Sequence, residues 1–169
     1  MTGLDRIWAG WRSEYIESTG DADDDDDGGG GGGGCVLCRV VAEGSHLIWR
    51  GDTTAVVLNA YPYTSGHLMV LPVRHVGELE EVVGDEAAEL WGAVADAVRA
   101  LKAAYRPEGI NVGANLGRAA GAGVPGHFHV HALPRWNGDT NFMTAVAEAR
   151  VMPETLSRSA EKLRSAWPH

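Results

Sequence analysis

Three histidines alternate with apolar residues in the stretch Gly126-His127-Phe128-His129-Val130-His131-Ala132-Leu133-Pro134-Arg135-Trp136. On a strand, period-two geometry sets His127, His129 and His131 on one face and Phe128, Val130 and Ala132 on the other. Neighbouring imidazoles on such a face stand roughly 7 Å apart, so one compact phosphate group can touch two of them. Imidazole is a competent nucleophile and is largely neutral at pH 7, its unperturbed pKa being about 6.5. Attack on a phosphoryl group gives a phosphoramidate and divides one displacement into two easier ones. A metal-dependent hydrolase using all three as ligands is disfavoured, because successive same-face residues spread too widely to hold one ion at about 2 Å each.

A second suggestive spacing is Cys35-Val36-Leu37-Cys38, which contains both cysteines of the chain. Two are too few for a disulfide scaffold, and in a cytosolic chain this spacing favours metal or redox chemistry. A thioredoxin-like pair belongs in a βαβ setting, which the surrounding pattern lacks. The pair supplies half of a tetrahedral zinc site. The competing reading is two half-buried thiols, with His75 on a helix-entry turn. Just before the histidines, Gly117-Arg118-Ala119-Ala120-Gly121-Ala122-Gly123-Val124 can offer backbone N–H groups to developing charge with no side chain intruding. Arg118 is either a phosphate contact there or a solvated cation. Asp85, Glu86 and Glu89 read as the first turn of a helix, where acids favour the dipole, and not as catalytic acids.

These groups need a scaffold, and the pattern supplies one from Cys35 onward. A short helix ends near Val40 to Ala42. Leu47 to Trp49 and Ala55 to Leu58 read as strands joined by a turn at Gly51-Asp52, and His67 to Pro72 as a third. From Asp85 to Tyr105 apolar residues recur at helical spacing, ending before Pro107. Ile110 to Leu116 is the next strand, then a loop and the histidine strand. Met143 to Val146 is ambiguous, and Pro153 opens a C-terminal helix with Leu156, Ala160, Leu163 and Trp167 on one stripe. About five hairpin-connected strands with two main helices on one side make an α+β domain over residues 35–169.

The rest of the chain is different. Residues 1–19 form an arm rich in aromatics (Trp8, Trp11, Tyr15) at loosely helical spacing. Residues 20–34 combine an aspartate run with seven consecutive glycines, a composition expected of a disordered tether. Six of the aspartates lie between Asp21 and Asp27, so they supply most of the net charge of −9. Nothing basic favours nucleic acid, although a nucleotide needs only a local site. At 169 residues and 44% hydrophobic content, one domain is expected. No apolar run approaches the roughly 20 residues of a membrane span, and the N-terminus lacks a signal-peptide pattern, so a cytoplasmic address is expected.

The motif His127-Phe-His129-Val-His131-Ala-Leu resembles the signature of the histidine-triad superfamily of nucleotide hydrolases and transferases. Two further stretches resemble other blocks of that family: Asn59-Ala-Tyr-Pro-Tyr-Thr-Ser-Gly-His67 through Leu71-Pro72, and Gly113-Ala-Asn115-Leu-Gly117 with its Gly/Ala loop. Arg6-Ile-Trp-Ala-Gly-Trp-Arg12 and Pro134-Arg135-Trp136-Asn-Gly-Asp139-Thr-Asn-Phe142 are similar to the branch containing bacterial diadenosine tetraphosphate phosphorylases. The sequence departs from relatives that carry Ser or Gln in the loop: Ala122 and Gly123 leave only backbone donors and more room.

The resemblance implies an α+β fold with an antiparallel five-stranded sheet that is extended by dimerisation or higher homo-oligomerisation. It implies that His129 is the nucleophile, forming an adenylyl-histidine, that His131 contacts the phosphate and helps the leaving group depart, and that His127 orients its neighbour or binds metal. Substrate contacts implied are Asn59 to ribose, His67 and Asn115 near the phosphates, and Gly121, Ala122, Gly123, Val124 and His131 around the reacting group. Some members complete a structural zinc site, for which Cys35, Cys38, His75 and His127 are the matching residues. No organic cofactor is implied, and the nucleotide would arrive as its magnesium complex. The function implied is cleavage of a dinucleoside polyphosphate by phosphate or by water. Alternatives are another adenylyl hydrolase or nucleotidyltransferase, or a nucleotide-binding regulatory module of negligible turnover. A sugar-1-phosphate nucleotidyltransferase would usually show Gln where His131 stands.

Overall fold

Ala55–Leu58 and Leu68–Leu71 are near-continuous apolar runs, so both belong inside a sheet covered on two faces. In the computed structural model, which describes residues 34–139 and 153–168, they form β2 (Thr54–Leu58) and β3 (Leu68–Pro72). Together with β1 (Leu47–Arg50), β4 (Gly109–Gly113) and β5 (Val130–Arg135) they make a five-stranded sheet. Its order is β1-β2-β3-β5-β4, with every neighbouring pair antiparallel. The α+β expectation holds. The described residues contain α1 (Val36–Glu43), α2 (Gly84–Tyr105) and α3 (Leu156–Ala166), none of them long and apolar enough to cross a membrane. The aromatic arm, nearly all of the Asp/Gly tract, Met143 to Val146 and Phe142 lie outside the described residues.

The two faces of the sheet are covered unequally. On one, Val56, Leu58, Val70, Phe128 and Val130 meet Leu90, Val94, Ala97 and Leu101 of α2 and Leu163 of α3. Each fully buried leucine or valine there stabilises the fold by about 1.5–3 kcal/mol. The other face is met by α1, whose Leu37 and Val41 pack on Ala55, Val57 and Leu71. That second face also carries His131, which pairs across the ladder with Met69. The expected segregation of α2 and α3 to one side therefore leaves the histidine side for chemistry.

Local contacts fix the element ends. Arg106 stops α2 in the left-handed region (φ 47°), since the residue before Pro107 is disfavoured in a right-handed helix. Pro153 does not open α3: Thr155 accepts the Arg158 N–H at 3.4 Å and caps it, so the helix starts later. Trp167 stacks on Trp49 (5.7 Å between centroids), tying the end of α3 to β1. Glu89 also has a role other than the expected helix-dipole acid. Its carboxylate accepts the N–H groups of Asp52 (2.9 Å) and Thr53 (2.7 Å) and the Thr53 hydroxyl, clamping the β1–β2 turn. Burial opposes the charge, but these bonds outweigh it and hold the carboxyl below its usual range.

Two strand expectations need correction. β4 pairs only as far as Gly113, opposite His131 near the start of β5, and Leu116 lies beyond the ladder. His127 and His129 precede β5 and do not lie within it. Pro72 ends β3 and has no N–H to continue the ladder, and the Phe128 N–H is taken instead by the Val76 carbonyl at 2.6 Å.

Candidate active site

The Asn59–Gly66 loop turns back so that the Asn59 N–H meets the His67 carbonyl at 2.9 Å. Gly66 makes the turn possible. Its φ is +82°, and a Cβ there would stand 2.6 Å from the Tyr105 ring, so only glycine fits both the conformation and the space. His67 is thereby placed at the start of β3, fully buried, under the loop. Its Nδ1 faces the Tyr63 N–H (3.2 Å) and Asn59 Nδ2 (3.3 Å), and its Nε2 lies 3.0 Å from His131 Nδ1. It is placed behind His131, with Asn59 beside it, and the Tyr63 ring packs on both imidazoles at 4.7 and 6.2 Å.

His129, buried, and His131, half-buried, are neighbours at the start of β5, their rings edge-to-face with centroids 4.8 Å apart. That is closer than the roughly 7 Å of backbone spacing, because the rings lean toward each other. His129 Nδ1 lies 2.7 Å from the His127 carbonyl, which can only accept, so Nδ1 carries the hydrogen and Nε2 the lone pair. Among the described residues Nε2 has no hydrogen-bond partner, yet it is not one of the fully enclosed polar atoms, so it keeps contact with solvent. Burial pushes the pKa of His129 below its ordinary value, only partly offset by the His127 carbonyl, and the ring stays neutral and nucleophilic at pH 7. Burial and then the neighbouring His129 push His131 down to about 4.

His127 belongs elsewhere. Its Nε2 donates to the Pro72 carbonyl at 2.9 Å, which leaves a lone pair on Nδ1. That nitrogen lies 3.4 Å from both Cys35 Sγ and Cys38 Sγ, and His75 Nδ1 lies 3.4 Å from Cys38 Sγ. The four ligand atoms of Cys35, Cys38, His75 and His127 fall within 4.8 Å of one another. A tetrahedron with Zn–S about 2.3 Å and Zn–N about 2.0 Å requires sulfur–nitrogen edges of roughly 3.5 Å, so the donor set and its spacing fit. Burial and then the Cys35 sulfur push the Cys38 thiol up to about 11, a cost that a divalent cation would reverse by stabilising thiolates.

The Gly/Ala loop is less free than the sequence suggests. It contains a 3-10 turn at Arg118–Ala120, and the N–H groups of Ala120, Gly121 and Ala122 already bond to carbonyls of Gly117 and Arg118. Among the described residues, Gly123, Val124 and Gly126 are among the loop positions whose N–H groups remain unengaged. The Val124 side chain packs into the second core beside α1. Asn115 Nδ2 donates to the Gly121 carbonyl at 3.2 Å, bracing the loop. Arg135 pairs with Asp139 through Nε (2.6 Å) and reaches Asn111 Oδ1 at 3.0 Å, fixing the end of β5 against β4.

Backbone groups do much of this positioning: the His127 and Pro72 carbonyls and the Tyr63 N–H. No residue type signals them, because every residue offers such atoms. The Tyr63 ring is visible in the sequence, four residues before His67 in the Asn59–His67 stretch.

A five-stranded sheet with two adjacent imidazoles at the start of β5 and a Cys/His cluster beside them defines a class. Residues 42–138 match the HIT domain family, and the chain belongs to that family. Among individual relatives, it is similar to the AP-4-A phosphorylase of Mycobacterium tuberculosis (strain ATCC 25618 / H37Rv). The two are 38% identical over 165 residues, spanning 97% of this chain and 85% of that protein. Among solved structures, a Zn-bound histidine triad family protein from Mycobacterium smegmatis aligns with a TM-score of 0.66 and 28% identity, covering 80% of this chain and 94% of the other. A hypothetical histidine triad nucleotide-binding protein from Sulfolobus tokodaii strain 7 also gives 0.66, at 26% identity, over 78% and 91%.

Proposed function

We propose that the chain is an enzyme that cleaves dinucleoside polyphosphates of the diadenosine tetraphosphate kind through an adenylyl group carried on His129. The observation that carries this reading is the His129 ring itself, with Nδ1–H held by a carbonyl and Nε2 open beside a second imidazole. The Nε2 lone pair forms a bond to the α-phosphorus, the bond from that phosphorus to the bridging oxygen breaks, and ATP leaves as its anion. Phosphate then takes the adenylyl group, giving ADP; water in its place gives AMP. Similarity to the AP-4-A phosphorylase over most of both chains favours phosphate as the acceptor. Gly123 and Val124 N–H groups, with Asn115 bracing their loop, suit the charge on the reacting phosphate. Asn59, whose Oδ1 is engaged by the Tyr61 N–H at 2.9 Å, is assigned to the ribose end of the site.

Zinc held by Cys35, Cys38, His75 and His127 is part of the proposal, and the Zn-bound relative supports it. When bound, the ion would serve structure, with four protein ligands and no open position. The exposed β4 edge, with Val112 uncovered on it and Leu116 uncovered just past its end, suits the expected homodimer. The test is to incubate the protein with diadenosine tetraphosphate, with and without inorganic phosphate. ATP plus ADP in phosphate, and a mass gain of one adenylate on His129 without it, are expected. Bound nucleotide with neither products nor adduct would make the chain a binding module.

A further inference from the structure

One buried carboxylate has no place in the proposed reaction. It belongs to Glu154, just ahead of α3, whose side chain is only 9% exposed. That carboxylate accepts the Tyr105 hydroxyl, the Ser159 hydroxyl at 2.7 Å and the Lys162 ammonium. Burial opposes its charge, but these donors outweigh it and hold the carboxyl below its usual range. Burial, and then Glu154, push the Tyr105 phenol above its ordinary value, so it remains a donor. The Lys162 Nζ also lies over the Tyr105 ring, 5.0 Å from its centroid. A ring on the last residue of α2 is thereby fixed at its hydroxyl and over one face.

What that ring supports is the turn that closes the Asn59–Gly66 loop. Gly66 turns at φ +82°, and a side chain there would begin 2.6 Å from the Tyr105 ring, so the turn rests directly against it. From Gly66 the contact reaches Asn59 in one step, since the Asn59 N–H bonds to the carbonyl of the next residue, His67, at 2.9 Å. Trp136, just past β5, meets the same ring edge-on at 6.3 Å, and the Thr64 hydroxyl donates to the Pro134 carbonyl at 3.2 Å. The loop therefore lies on a floor made by the end of α2 and the end of β5, and Glu154 fixes the part beneath the turn. We infer that Glu154 and Tyr105 are positioning residues: the carboxylate holds the ring, the ring sets the Gly66 turn, and the turn sets where Asn59 meets the ribose. This role rests on the assignment of Asn59 to the ribose in the proposed function.

The first measurement needs no nucleotide. The N–H groups of Asn59 and His67 both bond within the loop, to the carbonyls of His67 and Thr64. Their hydrogen exchange should quicken by roughly 10-fold in Tyr105→Phe and in Glu154→Ala, relative to the amides of Val56 in β2 and Val70 in β3. Equal acceleration at all four positions, or none in the loop, overturns the inference. The second measurement compares the binding of AMP and of 2′,3′-dideoxyadenosine monophosphate by calorimetry. Wild type should prefer AMP by about 10-fold, the scale of one or two hydrogen bonds, and the ratio should fall to about twofold in Tyr105→Phe and Glu154→Ala. Glu154→Gln, whose amide oxygen still accepts the Tyr105 hydroxyl, should recover most of the preference. Weaker binding of both nucleotides with the ratio kept overturns the link from the ring to Asn59. No preference for AMP in wild type would instead defeat the ribose assignment in the proposed function, and exchange at Asn59 and His67 would still decide whether Glu154 and Tyr105 set the loop.

Discussion

The Cys/His cluster and the paired imidazoles beside it are built from the same alternating stretch, yet they use their rings in opposite ways. In the cluster, His127 has both nitrogens committed: Nε2 to the Pro72 carbonyl and Nδ1 to two cysteine sulfurs. In the imidazole pair, His129 and His131 have only Nδ1 engaged, and each Nε2 is left open among the described residues. In the proposed function the ring held at both ends serves as a brace and the ring held at one end as the reagent. The two regions meet in a single peptide unit, since the residue that offers its ring to the cluster offers its carbonyl to His129.

The sharpest way to break this division is to remove a reagent ring. His129→Ala should abolish the adenylate adduct and lower kcat by about 10⁴-fold or more, the scale of losing a nucleophile. Its melting temperature should fall by several degrees at most, because the buried ring gives up packing and one hydrogen bond but no metal ligand. If adenylate still accumulates in this variant, the nucleophile lies elsewhere.

Removing a brace should do the reverse. Cys35→Ser takes one donor from the cluster, and elemental analysis should show bound zinc falling from one per chain toward zero. A loss of about 3 kcal/mol, modest for a structural metal, would lower the melting temperature by roughly 6–12 °C for a domain of this size. Unchanged stability in a demonstrably zinc-free variant would mean that the cluster does not brace the fold. Any loss of activity should be smaller than for His129→Ala and should reach it through the His127 carbonyl.

Titration separates the regions more gently. His131 binds its proton near pH 4 when folded but near its ordinary value of about 6.5 when unfolded, so the unfolded chain holds more protons between these limits. Its stabilising contribution is thus complete above about pH 6.5 and is lost as pH falls toward 4. Allowing for solvent screening of a partly exposed ring, the change is on the order of 1–2 kcal/mol. Chemical denaturation of wild type and His131→Gln across this window should show a shallower pH slope in the variant; parallel slopes would assign the titration to another group.

How much of this was legible in the sequence depends on where the information sits. The apolar runs of β2 and β3, the helical stripe from Leu90 to Leu101 and the turn at Gly51-Asp52 declare themselves by side-chain type and period. So does membership of the family, through the histidine motif and the Asn59–His67 block. The strand ends were less legible, because they depend on partners: β5 starts late because Pro72 cannot donate, and β4 ends close to that late start. Least legible was which nitrogen each histidine presents. That follows from the Pro72 and His127 carbonyls and the Tyr63 N–H, backbone groups that do not depend on side-chain type and are placed only by the fold.

The smallest expected effect tests whether either region needs the polar tract before it. Cys35, the first ligand of the cluster, follows directly after residues 20–34, whose glycines and aspartates offer no apolar surface to bury. Excising those residues should leave bound zinc unchanged, kcat within about twofold and the melting temperature within about 1 °C, since loop length enters stability only logarithmically, at about 0.6 kcal/mol per doubling. Loss of zinc with adenylation intact would show that the spacing to Cys35 matters to the brace alone. Loss of adenylation with zinc intact would show that the tract matters to the chemistry alone.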